Sequence, residues 1–116
     1  MRIDEFSFGC VRIDGVRYEC DLVIDRGDVR KRKKKASKTY RDEFGHTPLS
    51  VDEKIPLDCR RLIVGTGVHG ALPVMDAVKR EARSRKVVLV VAPTAQAIAE
   101  FLRDPDGANA ILHLTC

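Results

Sequence analysis

Apolar and polar residues alternate through the first 25 positions of the chain. If the chain folds back at Asp14-Gly15, then Val11, Ile13, Val16, Tyr18, Cys20, Leu22 and Ile24 share one face, and Arg12, Arg17, Glu19, Asp21 and Asp25 take the other. A period of two around an Asp-Gly pair predicts an antiparallel hairpin that covers a core on one side. In that register Cys10 faces Glu19 and Cys20 faces Gly9, on opposite faces of the ribbon. Gly9 is expected at a bulge, which leaves Phe6, Phe8 and Val23 on the polar face, to be covered by a neighbouring element or a partner.

From Arg61 the pattern changes. Leu62-Ile63-Val64 reads as a short buried strand entering Gly65-Thr66-Gly67-Val68-His69-Gly70. A helix follows with Pro73 in its first turn and Val74, Val78 and Ala82 at helical spacing, while Arg83, Arg85 and Lys86 suit its C-terminal end. Val87–Val91 is uninterrupted and mostly β-branched, which predicts a strand buried on both faces. Thr94 is expected to cap a second helix with Ile98, Phe101 and Leu102 inward, and Ala110–Leu114 to form a last strand. The second half is therefore β-α-β-α-β, which implies parallel strands in an α/β domain. Between the halves, residues 26–58 read as irregular, with one helical turn expected where Ser50 and Glu53 match a capping box.

With 116 residues, 44% hydrophobic and 33% charged, the chain suits one globular domain. No apolar run approaches the roughly 18 residues of a membrane span, and nothing resembles a signal-peptide core. Membrane partners are not expected. Four cysteines without CxxC spacing suggest reduced thiols and a cytoplasmic location. The net charge of +4 is uneven: residues 26–41 hold nine bases and one acid, whereas the other 100 residues hold 12 bases and 16 acids. A single basic segment thus sits on a mildly acidic body.

Two features carry candidate chemistry. Gly65, Gly67 and Gly70 fit GxGxxG between a strand and a helix, where bare amides can face an anion. A dinucleotide site also needs an acid at the end of the next strand, and Val91-Ala92-Pro93 offers none. The candidate set is therefore Gly65, Thr66, Gly67, His69 and Gly70 with Thr94 across the loop, for a small anionic ligand; a plain strand-to-helix turn is the other reading. His69 could donate to an anion, act in proton transfer, or bond only its neighbours. The second feature is Arg30, Lys31, Arg32, Lys33, Lys34 and Lys35. These would meet an acidic protein surface or, less favoured, a nucleic-acid backbone, or else form a solvated loop; Tyr40 and Phe44 are too few for a stacking platform. His113 and Cys116, three apart on a strand, face apart and suggest no metal. No catalytic set can be assembled from spacing, and no cofactor is expected.

Phe8-Gly9 through Tyr18, the stretch Leu62–Gly70, Pro93-Thr94-Ala95 and the ending Leu112-His113-Leu114-Thr115-Cys116 together resemble the small Mth-type domain family of largely unassigned function. Its animal relatives include an adipogenesis-associated protein and a mitochondrial complex I assembly factor. The resemblance implies a three-layer fold with a mixed central sheet; with the pattern above it gives a single domain over residues 1–116, a hairpin in 1–25, the basic irregular segment in 26–58 and the βαβαβ unit in 59–116. It also implies a non-catalytic interaction or assembly module. The chain departs from many relatives in having no tryptophan after Val29, where it carries Arg30-Lys31-Arg32.

Overall fold

Turns of positive φ fold the N-terminal part into successive hairpins. The computed structural model describes residues 1–116. Strands β1 (Ile3–Ser7), β2 (Cys10–Ile13) and β3 (Val16–Tyr18) form a three-stranded antiparallel sheet. Asp14 and Gly15 have φ of 48° and 82°, as a type I′ turn requires. Val11 pairs with Tyr18 and Ile13 with Val16, which is the register the alternation predicts. Gly9, expected at a bulge, instead lies in the turn between β1 and β2; the register slips between Asp4 and Ser7, where Glu5 has φ 51°.

The hairpin expected to run to residue 25 stops at Tyr18. Strand β4 (Leu22–Asp25) belongs to a second sheet and turns at Arg26-Gly27, φ 51° and 86°, into β5 (Asp28–Lys31). The start of the basic segment is therefore a strand and not irregular chain. The second sheet has the order β5-β4-β8-β6-β7, with β6 at Arg61–Thr66, β7 at Val88–Ala92 and β8 at Ala108–His113. β6 runs parallel to β7 and to β8, whereas β8 is antiparallel to β4.

Alternation along the central strands sorts their side chains into two cores. Leu22, Ile24, Ile63, Ala110 and Leu112 face the three-stranded sheet and helix α3 (Thr94–Arg103). Val23, Leu62, Val64 and Ile111 face helix α2 (Asp76–Ser84) and the buried Leu49 and Leu72. The result is a mixed α/β domain of three layers. Between β5 and β6 the chain makes a 3-10 turn (Lys35–Tyr40) and the four-residue helix α1 (Arg41–Phe44). Leu49 then anchors it through a parallel bridge to Val74.

Five expectations need correction, one of them Leu102, expected inward but 36% exposed on α3. β7 is an edge strand, so its apolar run is not buried on both faces: Val88 and Val91 are 59% and 44% exposed. Helix α2 begins at Asp76, beyond Pro73. Pro73 is followed by extended backbone because its carbonyl and the amide of Met75 bond Leu49. The Thr94 side chain does not cap α3; it is engaged elsewhere, as described below. Ser50 and Glu53 form only a turn, because both side chains point into a buried network.

Candidate functional site

The glycine loop makes a tight turn at the end of β6, but it does not lead directly into helix α2, which begins at Asp76, and its amides are not bare. Gly67 N–H donates to Thr94 Oγ1 at 2.8 Å, and that hydroxyl donates onward to the His113 carbonyl at 2.6 Å. Val68 N–H donates to the Thr115 carbonyl and Ala71 N–H to that of Cys116, while Gly70 and Leu72 bond the carbonyls of Gly67 and Thr66. The segment Thr115–Cys116 thus closes the loop from within the chain. Gly67 has φ 105°, and a Cβ there would collide with the Cys116 backbone. Gly65 and Thr66 are buried, His69 and Gly70 are exposed, and Thr94 is fully buried as the staple.

The basic segment is likewise divided by the fold. Arg32 is 3% exposed; the period of two at the end of β5 turns it inward, so it is corrected from partner contact to structural core. Its guanidinium donates to both carboxylate oxygens of Glu53 (2.8 and 2.9 Å), to Asp21 (3.0 Å) and to the Pro48 carbonyl (3.1 Å). Glu53 also accepts from Ser37, whose hydroxyl lies 2.6 Å from that of Ser50. Asp21 lies 2.7 Å from His113 Nδ1 and accepts from Leu114 N–H at 3.0 Å. Burial alone would push the Asp21 carboxyl up. The His113 and Leu114 hydrogen bonds, with the charges of His113 and Arg32, outweigh it and hold the group below the ordinary carboxylate range. Burial likewise opposes the Arg32 charge, and Glu53 and Asp21 more than restore it.

This network positions a cleft of about 360 Å³ on the other side of residues 34–47. Side chains three apart eclipse in a 3-10 turn. Ser37 and Tyr40 therefore reach the 50–53 turn together, bonding Ser50 and Asp52, while Lys38 and Arg41 share the next face and line the cleft. Arg32, Lys34, His46, Thr47, His113 and Thr115 add to its polar lining, and no carboxylate side chain is among the residues that form it. Lys34, Lys38, Arg41 and His46 take part in none of the chain's ion pairs. Of the sequence-derived candidates only Lys34 and Arg32 border this cleft. Arg30 bonds the Lys54 carbonyl, and Lys31, Lys33 and Lys35 are exposed. A broader groove of about 900 Å³ lies over Val23 and Ile111, but Asp25, Asp52 and Glu53 make its lining mixed in charge.

Residues 3–102 match the model of a family described as protein of unknown function, DUF498/DUF598. The chain belongs to that family. Among solved structures, the conserved hypothetical protein PH1505 from Pyrococcus horikoshii OT3 is 28% identical over the whole of both chains, with a TM-score of 0.80. A protein named MT938 is 25% identical over 98% of this chain and 97% of its own, with a TM-score of 0.70. An outer membrane protein from Bartonella henselae shares the fold at 12% identity, covering 98% of this chain and 94% of its own, with a TM-score of 0.65. No curated protein matches the DUF498/DUF598 chain. No helix in it is long and apolar enough to cross a membrane.

Two outcomes test this geometry. Gly67→Ala combines left-handed strain with a backbone collision and should cost about 2–4 kcal/mol in urea unfolding. Gly27→Ala, at φ 86° with nothing within 4 Å, should lose only about 1–2 kcal/mol, the strain component. Because the folded pKa of Asp21 lies below its reference of 3.8, its contribution is complete above that value. It fades as pH falls through the lower folded pKa. Asp21→Asn should therefore be less stable near neutrality, and its unfolding midpoint should depend less on pH in that acid window than the wild type's.

Proposed function

We propose that this chain is a binding module for a small anion, held in the cleft formed by Lys34, Lys38, Arg41 and His46. One observation carries the reading: these side chains converge without ion-pair partners around a cleft that no carboxylate side chain lines. Gathering like charges in one concavity raises the local potential and stabilises an incoming anion. Arg41 supplies a planar fork suited to a phosphate or carboxylate, and the two lysines add compact charges. Val68, Ala71 and Thr94 support the site indirectly, by bonding the carbonyls of Thr115, Cys116 and His113 that form its wall. In this reading the glycine loop is a clamp on the site rather than the site itself.

The reading is tested by following backbone amide resonances while pyrophosphate is added at low ionic strength. Shifts should centre on Lys38, Arg41, His46 and Ala71, weaken with added salt, and fall at least about tenfold in affinity in the Lys38→Glu/Arg41→Glu variant. No shift at millimolar pyrophosphate, or undiminished binding by the variant, would overturn it. RNA binding that survives the double reversal would move the role to the exposed Lys31, Lys33 and Lys35.

A protein-docking or assembly role is the second reading, and it rests on Phe8. This side chain is 60% exposed in the turn between β1 and β2, whereas Phe6 packs on the core. Phe8→Ser should leave stability within about 0.5 kcal/mol of the wild type. A larger loss would make Phe8 a structural residue and remove the support.

A further inference from the structure

The two edges of the five-stranded sheet are treated in opposite ways. β5 carries Asp28, Arg30 and Lys31, the charged guard that discourages a sheet edge from adding strands. β7 is Val88-Leu89-Val90-Val91-Ala92, with no charge or proline in it. Val88 N–H donates to the Arg60 carbonyl at 2.9 Å, so alternation turns the N–H and C=O groups of Leu89 and Val91 away from β6, toward open solvent. The same edge leaves Val88 and Val91 exposed.

Lys79 and Arg83 of α2 stand beside this edge, lining a shallow recess with Val87, Leu89 and Val91 into which no acidic side chain projects. Arg83 forms no ion pair, and Lys79 makes only a 3.9 Å contact with Asp76. We infer that β7 accepts an extended segment of a partner protein as a sixth strand, one face of the segment presenting carboxylates to Lys79 and Arg83 and the other apolar side chains to Val88. Main-chain pairing supplies affinity in this mode, and the alternate side chains supply selectivity. The cations argue against a second copy of this chain. Antiparallel pairing of β7 with itself would place both α2 helices on the same side of the joined sheet, so that Lys79 and Arg83 of each copy approach those of the other.

The test adds a synthetic peptide of alternating Glu and Val to the intact chain and follows amide exchange residue by residue. Exchange at Leu89 and Val91 should slow while the cleft residues Lys38 and Arg41 are unmoved, which separates this surface from the anion site. Arg83→Glu, a surface change that leaves the fold intact, should weaken binding roughly tenfold. Val91→Pro, which deletes an outward N–H at a position where an edge tolerates proline, should abolish it. Three results would overturn the inference: no slowing at millimolar peptide, equal slowing by a Lys-Val peptide, or protection that rises with protein concentration alone, which would assign the edge to a second copy.

Discussion

A guanidinium buried beneath a long irregular segment must be satisfied completely or the segment cannot stay where it is. Arg32 meets that condition through Glu53, Asp21 and the Pro48 carbonyl. Those partners come from two separate stretches of chain, and Asp21 passes the connection to β8 through His113 and Leu114. Removing one member of such a cluster leaves a buried charge unpaired, at a cost of about 3–5 kcal/mol. Residues 33–58 contribute no strand to either sheet. Their position depends on this cluster, on Leu49, and on Asn109, which bonds the Pro56 carbonyl.

The cleft inherits its geometry from that arrangement. Lys38 and Arg41 point where they do because Ser37 and Tyr40, on the adjoining face of the same turn, are held by Ser50, Glu53 and Asp52. A neutralised interior network and an unneutralised surface cleft thus share one backbone. Arg32, with Asp21 and Glu53 within reach, is paired and buried. Lys34, Lys38 and Arg41, with no carboxylate side chain lining their cleft, face outward.

What the sequence made legible was local. The Asp14-Gly15 register depends on two residues and their immediate neighbours, and the apolar run of β6 is buried on both faces as such runs usually are. β7 has the same kind of run, but whether a strand lies at the centre or the edge depends on which strand pairs beyond it, and composition does not encode that. Arg32 reads as one base among six; only the distant Asp21 and Glu53 distinguish it. The glycine loop turns tightly as expected, yet the acceptors for its Gly67 and Val68 amides are Thr94 and Thr115, far along the chain. The period of three that aligns Lys38 with Arg41 involves polar residues alone, so no hydrophobic pattern announced it.

Strand β8 is the latest of the eight strands in sequence, yet it lies at the middle of the larger sheet, between β4 and β6. The β4–β5 hairpin and the β6–β7 pair make no strand-to-strand contact with each other, and their inner edges meet only through β8. The pairing of β8 with β4 joins residues about 90 apart in the chain, a non-local contact of the kind that slows folding. β8 is thus a keystone: without it the larger sheet would be two leaning halves, each with an uncovered inner edge.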